Sequence, residues 1–162
     1  MAAEPPIAMT HFFWLRLTGE LRRRGRGRRE RGAFLVGRMG DSSRRIVRFI
    51  CYDDLDPRAL ERGIVTLHGA GMSALWDLCR KESLTVLADV HTHPGADTRQ
   101  SDIDRQYAMV PLVGHVAMIV PHFGHTSRWS MNGVGVHVFE GGGKWASYRG
   151  GHAGSPVKLV AW

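Results

Sequence analysis

Residues 89–104 read Asp-Val-His-Thr-His-Pro-Gly-Ala-Asp-Thr-Arg-Gln-Ser-Asp-Ile-Asp, and the rest of the chain is interpreted from this stretch. An apolar run at residues 84–90 leads into it and is typical of a β-strand that ends before Pro94. Side chains two apart on a strand point to the same face, so the imidazoles of His91 and His93 can converge on one point. Such a pair with one carboxylate supplies three metal ligands and leaves a fourth position for water, as in catalytic zinc sites.

Three carboxylates in this stretch compete for the role of third ligand. Asp97 lies in a Gly-Ala loop without a fixed direction, whereas Asp102 directly follows Ser101 and would point elsewhere on a helix. Asp104 comes three residues after Ser101, and Ser-x-x-Asp is also the pattern of a capping box. The serine is therefore expected to begin a short helix over residues 101–109.

The spacing of these residues resembles the signature of the JAMM (MPN+, Mov34/JAB) metalloproteases. His-Thr-His-Pro at residues 91–94 is followed, after six residues, by Ser101-x-x-Asp104. The resemblance selects Asp104 as the third ligand beside His91 and His93, and it implies one Zn²⁺ per chain with a catalytic water. It also implies that Ser101 hydrogen-bonds near the metal and helps to stabilise the oxyanion of the reaction.

The resemblance also implies a general base from another part of the chain. JAMM enzymes carry a Glu before a strand written Glu-x-x-Gly-Leu-Leu-x-Gly, and residues 30–37 read Glu-Arg-Gly-Ala-Phe-Leu-Val-Gly in that register. Glu30 would take a proton from water and return it to the leaving amine; the alternative is a carboxylate that only offsets nearby arginines. Ala33 stands where the family has Gly, a departure that bears on how closely this strand approaches its neighbours. Glu20 competes, but no glycine-containing strand follows it at the right distance.

The pattern of predicted elements, a mixed sheet with two principal helices, indicates an α+β fold. The resemblance implies the same plan, a curved mixed β-sheet flanked by helices with the JAB1/MPN-like, cytidine-deaminase-like architecture. The compact chain is similar to small prokaryotic members. They imply a zinc-dependent isopeptidase or peptidase that removes a ubiquitin-like protein from conjugates or processes its C-terminal tail, in a bacterial anti-phage conjugation operon. The implied partners are that ubiquitin-like protein, its conjugates, and E1-like or E2-like proteins of the same system. The alternatives are a sulfur-carrier-protein peptidase, a non-catalytic MPN scaffold and a RadC-like DNA-associated protein.

Length and composition indicate one domain. The 162 residues are enough for a single core, expected at about residues 11–148 between flexible termini. Cys51 and Cys79 are far apart in apolar surroundings, which favours two buried reduced thiols over a disulfide or a nucleophile. The first ten residues do not resemble a signal peptide, and no apolar run approaches the roughly eighteen residues of a membrane span. These features favour a cytoplasmic protein.

The formal charge of +7 is concentrated in residues 22–31, of which seven are arginine. Three interpretations remain open: a solvated loop, a contact with an acidic partner, and a contact with nucleic acid. No aromatic residues interleave to stack on bases, which disfavours nucleic acid. Because the run directly precedes Glu30, it is expected at the rim of the site.

Asp89 shares the strand face of His91 and is interpreted either as a carboxylate that orients a ligand imidazole or as a partly exposed edge residue. The other histidines lack ligand spacing and are expected to be structural: His68, His115, His122, His125, His137 and His152.

Local patterns predict the remaining elements. Residues 1–10 are expected to be a loose tail, and residues 19–29 a helical turn that gives way to a loop. A helix is predicted over residues 72–82 with Ser73 as N-cap. Strands are predicted at residues 11–18, 32–39, 45–52, 64–68, 84–93, 115–121, 133–140 and 144–148, with a further edge strand at 157–160.

Overall fold

The computed structural model describes residues 4–59, 67 and 69–162. The strands are β1 Ile7–Thr10, β2 Gly32–Arg38, β3 Ile46–Cys51, β4 Leu84–Thr92, β5 Val116–Val120, β6 Gly135–Gly141, β7 Lys144–Arg149 and β8 Val157–Val160. The helices are α1 His11–Gly25, α2 Tyr52–Leu55, α3 Gly69–Glu82 and α4 Asp102–Gln106, with a 3₁₀ turn η1 at His122–Gly124.

A six-stranded mixed sheet with the order β3-β2-β4-β5-β6-β7 forms the centre of the molecule. Strands β4 and β5 pair in parallel, and the other neighbours pair antiparallel. The predicted β2–β3 hairpin is confirmed, and Gly141, Gly142 and Gly143 form the turn between β6 and β7 with positive φ angles. The α+β class, a mixed sheet flanked by helices, is confirmed.

Both faces of the sheet are covered, which explains the continuous apolar run of β2. Ala33 and Leu35 point into one core cluster, and Phe34 and Val36 point into the other. Helix α1 covers the first face, and α3 covers the second. The buried apolar side chains that the two helices contribute are Phe13, Trp14, Leu17, Leu21, Leu75 and Cys79. A strand buried on both faces has little polar alternation, so its sequence is recognised by its length and its bounding turns.

The strand predicted at residues 11–18 is wrong, because this segment begins helix α1. Thr10 is its N-cap, and the Thr10 hydroxyl accepts a hydrogen bond from the Phe13 amide at 3.0 Å. The helix ends at Gly25, where Arg26 adopts the left-handed conformation with a φ of 52°. The aromatic residues of the segment favour strands locally, but the burial of the apolar side chains follows helical spacing across two turns.

Residues 7–10 are not the loose tail that the sequence suggests. They form β1, which pairs in parallel with β8 in a separate two-stranded sheet. Ile7 and Met9 are fully buried in the core cluster that contains α1. The predicted strand at residues 157–160 is confirmed, but its partner is β1 rather than the main sheet.

Two helix predictions need correction. Helix α3 begins at Gly69, so Ser73 lies inside the helix and is not its N-cap. Helix α4 is shorter than predicted and ends at Gln106. The strand predicted at residues 64–68 lies, apart from residue 67, outside the described residues. In the described part of the chain, no helix is both long and apolar enough to cross a membrane.

Candidate metal centre

The two histidines of the central motif lie at the carboxyl end of β4, beside the end of β5. The His93 amide donates to the Val120 carbonyl at 2.9 Å, which continues the parallel pairing one residue past β4. His91 is buried and His93 is half-buried. Their Nε2 atoms are 3.2 Å apart. The same-face placement predicted from their spacing therefore holds.

Asp104 is brought over the histidines by the first turn of α4. Ser101 is the N-cap: its hydroxyl oxygen accepts from the Asp104 amide at 3.1 Å, and its own amide donates to Asp104 Oδ2 at 2.8 Å. This is the capping box expected from Ser-x-x-Asp. Asp104 Oδ1 is 3.3 Å from His91 Nε2, and Oδ2 is 3.4 Å from His93 Nε2.

The competing carboxylates lie outside this group. Asp97 forms an ion pair with Arg99, and Asp102 forms one with Arg105. Across the described residues, His91, His93 and Asp104 are the set of three metal-ligating side chains whose ligand atoms all lie within 4.8 Å of one another. These three side chains could hold a metal ion.

Hydrogen bonding fixes which nitrogen of His93 faces the cluster. His93 Nδ1 is 2.9 Å from the Asp97 carbonyl oxygen, which can only accept a hydrogen bond. Nδ1 therefore donates this hydrogen bond, and Nε2 faces Asp104 and His91. A backbone carbonyl behind a ligand histidine is a common arrangement in protein metal sites.

The electrostatics of the three side chains are coupled. Burial alone would raise the pKa of Asp104, but hydrogen bonds with His91 and His93 outweigh it and hold that pKa well below its ordinary value. The hydrogen bond with Asp104 raises the pKa of His93. Asp104 is therefore an anionic candidate ligand at neutral pH, and acidification protonates His93 more readily than an ordinary histidine.

Glu30 reaches the same site from the segment that precedes β2. Gly32 pairs with His91, and the Thr92 amide donates to the Arg31 carbonyl at 2.9 Å, so the register places Glu30 opposite His93. Glu30 is half-buried. Burial raises its pKa against the opposing effect of the two histidines, and the Asp104 charge raises it further. Glu30 is thus a carboxylate beside the three ligand candidates, with a raised affinity for a proton.

Glu20 and Ser101 differ in their relation to this site. The carboxylate of Glu20 forms ion pairs with Arg23 and Arg24 on helix α1, at 2.7 Å from each. The hydroxyl of Ser101 donates to Asp104 Oδ2 at 2.8 Å. Ser101 therefore positions the carboxylate ligand, and its role toward an oxyanion stays a prediction.

The close approach expected of the Glu30 strand occurs at Gly32 and does not need glycine at Ala33. A Cβ atom on Gly32 would lie 2.2 Å from the Tyr52 ring and 2.7 Å from the Val90 carbonyl oxygen. Ala33, by contrast, is fully buried and fits between its neighbours. The departure from the family pattern at Ala33 therefore leaves the strand able to approach β4.

Asp89 has neither of the two predicted roles. It is buried, and it accepts hydrogen bonds from the Tyr52 hydroxyl at 3.0 Å and from His115 Nε2 at 2.5 Å. The prediction that Asp89 orients a ligand imidazole is corrected, as is the exposed-edge alternative. Its partners are 37 and 26 residues away in sequence, so no local pattern indicates them.

His137 is a structural residue whose position bears on the site. Its Nε2 is 2.9 Å from the Thr98 carbonyl oxygen, so Nε2 donates, and Nδ1 accepts from the Ser147 hydroxyl at 2.9 Å. Burial lowers the pKa of His137, which is consistent with a neutral ring. His137, on β6, thereby holds the loop that contains Asp97 and Thr98. The Asp97 carbonyl of this loop accepts the hydrogen bond of His93. Its sequence context carries no signal of this role.

A cleft opens beside His93 and extends along the sheet. Its inner cavity of about 390 Å³ is bounded by His93, Pro94 and Ser101. A second cavity of about 760 Å³ reaches β6 and β7. The residues that line both cavities are Asp97, Arg99, Gln100 and Arg105. A ligand that lies in the cleft would therefore pass from the metal centre toward β7.

A family model of prokaryotic homologues of the JAB domain matches residues 18–132 of the chain. This chain belongs to that family. The matched region includes the five candidate site residues, Glu30, His91, His93, Ser101 and Asp104.

Two solved structures, from Desulfitobacterium hafniense and Salinibacter ruber, share the fold of this chain at low sequence identity. A solution structure from Desulfitobacterium hafniense has a TM-score of 0.61 at 15% identity, covering 95% of this chain and 92% of the other. A solution structure from Salinibacter ruber has a TM-score of 0.54 at 14% identity, covering 88% of each chain. A JAB1/MPN domain protein from Archaeoglobus fulgidus has a TM-score of 0.45 at 14% identity, covering 98% of this chain and 100% of the other.

Proposed function

We propose that this JAB domain is a zinc-dependent peptidase or isopeptidase. The observation that carries the proposal is the convergence of two imidazole nitrogens and one carboxylate with Glu30 opposite His93. Two nitrogens and one oxygen form a donor set typical of catalytic zinc. The Nε2 atoms of His91 and His93 are 3.2 Å apart, and each lies 3.3 or 3.4 Å from one of the two Asp104 carboxylate oxygens, so all three side chains could contact one ion.

The chemistry assigns separate roles to the residues of the chain. A bound zinc ion would lower the pKa of a water ligand to about 7 and polarise a carbonyl group. Glu30, with its pKa raised by burial, accepts the proton of the attacking water and returns it to the leaving amine. Ser101 lies next to Asp104 and is the candidate donor to the oxyanion once a substrate competes for its hydroxyl.

The substrate proposed for this site is a ubiquitin-like protein or one of its conjugates. The cleft beside His93 leads toward β7, the last strand of the sheet order, whose outer edge has no partner strand among the described residues. An extended C-terminal tail could add to such an edge and present its final peptide or isopeptide bond to Glu30. The proposal places the protein in an anti-phage conjugation system. A sulfur-carrier-protein peptidase is the alternative.

The experiment is to incubate zinc-loaded protein with a panel of ubiquitin-like fusions and to identify cut sites by mass spectrometry. We expect cleavage directly after the ubiquitin-like tail, and loss of cleavage with a chelator. In Glu30→Gln, we expect unchanged zinc content with turnover reduced at least about a hundredfold, because only the proton acceptor is removed. Wild-type turnover in Glu30→Gln would refute the assignment of the base.

Two controls separate this proposal from its rivals. His91→Ala should lose stoichiometric zinc, as measured by elemental analysis, because one of three ligands is gone. Bound zinc in the wild type without turnover on any fusion would favour a non-catalytic MPN scaffold. Tight binding of duplex DNA at physiological salt would favour the RadC-like alternative.

A further inference from the structure

The arginines that precede Glu30 differ in what they contact. Arg24 is surrounded by acidic groups and lies 2.7 Å from Glu20, 3.0 Å from Asp53 and 2.8 Å from Asp54. Glu20 also binds Arg23. Three carboxylates, one from α1 and two from α2, thus contact two neighbouring arginines in the last turn of α1.

The next arginines have no such partners. Arg26, Arg28 and Arg29, here called the basic turn, are exposed, and none forms an ion pair within residues 4–59, 67 and 69–162. Three cations within four positions repel one another, and among the described residues the ion pairs of residues 22–29 involve Arg23 and Arg24 alone. An acidic group from another molecule would reduce this repulsion.

The basic turn is an ordered part of the fold. Arg26 adopts a left-handed conformation, and the amides of Arg28 and Arg29 both donate to the Gly25 carbonyl, at 3.0 and 3.1 Å. Stabilisation of the helix C-terminus needs cations only in the last turn, where Arg22, Arg23 and Arg24 already lie. The charge of the basic turn therefore exceeds what the helix requires.

The position of the basic turn connects it with the metal centre. It directly precedes Glu30, and the following Arg31 is bound to Thr92, the residue between the two histidine ligands. In the sheet order, β2 is on one side of β4, whereas β5, β6 and β7, which lead to the cleft, are on the other. The metal centre thus lies between the basic turn and the cleft.

We infer that the basic turn binds an acidic face of the protein substrate, on the side of the scissile bond opposite the cleft. The inference rests on the proposed function, because it requires a protein that extends across the metal centre. Nucleic acid is the less suitable occupant, because no aromatic residue occurs from residue 15 to residue 31 to stack on bases.

The test measures binding without turnover. A fluorescein-labelled 16-residue peptide of alternating Glu and Asp is titrated by fluorescence anisotropy into the wild type and into the triple variant Arg26→Gln, Arg28→Gln, Arg29→Gln. The matched control is the triple variant Arg38→Gln, Lys81→Gln, Lys144→Gln, which removes the same charge from exposed positions at the opposite end of the sheet.

We expect about tenfold weaker binding in the basic-turn variant, less than about twofold weakening in the control variant, and a steep salt dependence only while the turn is intact. Equal weakening in both variants would overturn the inference, because it would show a general effect of net charge. Tighter binding of a 16-base-pair DNA duplex than of the peptide, lost in the basic-turn variant, would also overturn it in favour of nucleic acid.

Failure of this inference is distinguishable from failure of the proposed function. Glu30→Gln should bind the acidic peptide as the wild type does, since Glu30 is not part of the basic turn. On a conjugate that the wild type cleaves, the basic-turn variant should raise KM about tenfold with an unchanged kcat. Turnover with unchanged KM in that variant would refute the basic turn and leave the peptidase proposal standing.

Discussion

At the scale of single residues, the contacts that hold the site come from side chains distant in sequence. The carboxyl group of Asp89 is buried two positions before His91, and it depends on Tyr52 and His115 for its hydrogen bonds. The motif predicts the ligand positions, because spacing on one strand fixes direction. The motif does not indicate which residues form hydrogen bonds with Asp89, because tertiary packing brings those partners to it.

The contact between Tyr52 and Asp89 can be tested by Tyr52→Phe. Phenylalanine keeps the ring that packs on Phe34 at a centroid distance of 4.9 Å and removes only the hydroxyl donor. We expect the free energy of unfolding to fall by about 1–3 kcal/mol, because a buried carboxylate loses a hydrogen bond. Urea denaturation measures the change. Tyr148→Phe, on the exposed strand β7, is the control and should shift stability by less than about 0.5 kcal/mol; equal shifts would contradict the role of the hydroxyl.

At the scale of elements, strands that bury both faces were the easiest to predict and helix α1 was the hardest. Strand β2 reads as a short apolar run between turns, and its predicted bounds differ from the observed ones by one residue. The residues of α1 instead combine high strand propensity with a helical pattern of burial. Pairing β1 with β8 brings residues some 150 positions apart together, and no local pattern encodes such a contact.

The packing of β2 against β4 predicts that Gly32→Ala is damaging. The added Cβ would meet the Tyr52 ring and the Val90 carbonyl, and the latter is backbone that cannot rotate away. We expect a loss of about 1–3 kcal/mol in unfolding free energy and a displaced Glu30, so that turnover falls more than zinc content. Gly19→Ala is the matched control, because its Cβ would meet nothing within 4 Å and alanine favours the helix. Wild-type stability in Gly32→Ala would refute the close approach.

At the scale of the whole molecule, the sheet order explains why residues from four parts of the chain meet. The segment before β2, the end of β4, the end of β5 and the start of α4 all lie at the same end of the central strands, the carboxyl end of β4 and β5. The family resemblance predicts that these segments meet, whereas composition and periodicity alone predict only the α+β class of the fold. The basic turn and the cleft then lie on opposite sides of β4, which is the geometry required for one substrate to contact both.

The ends of the chain supply the last prediction, because β1 and β8 complete the core beneath α1. Ile7 pairs with Val157 and Met9 with Leu159, and Ile7, Met9 and Val157 are almost completely buried. Deleting residues 157–162 would uncover these side chains, and each fully buried aliphatic side chain contributes about 1.5–3 kcal/mol. We therefore expect thermal unfolding to begin at a clearly lower temperature.

Deleting only residues 161–162, which are exposed and outside β8, is the matched control and should leave the unfolding curve almost unchanged. Differential scanning calorimetry on both truncated proteins measures the difference. If the longer deletion unfolds at the wild-type temperature, the terminal sheet is not part of the cooperative core. If only the longer deletion is destabilised, β8 supports the position of α1, whose last residue leads directly into the basic turn and Glu30.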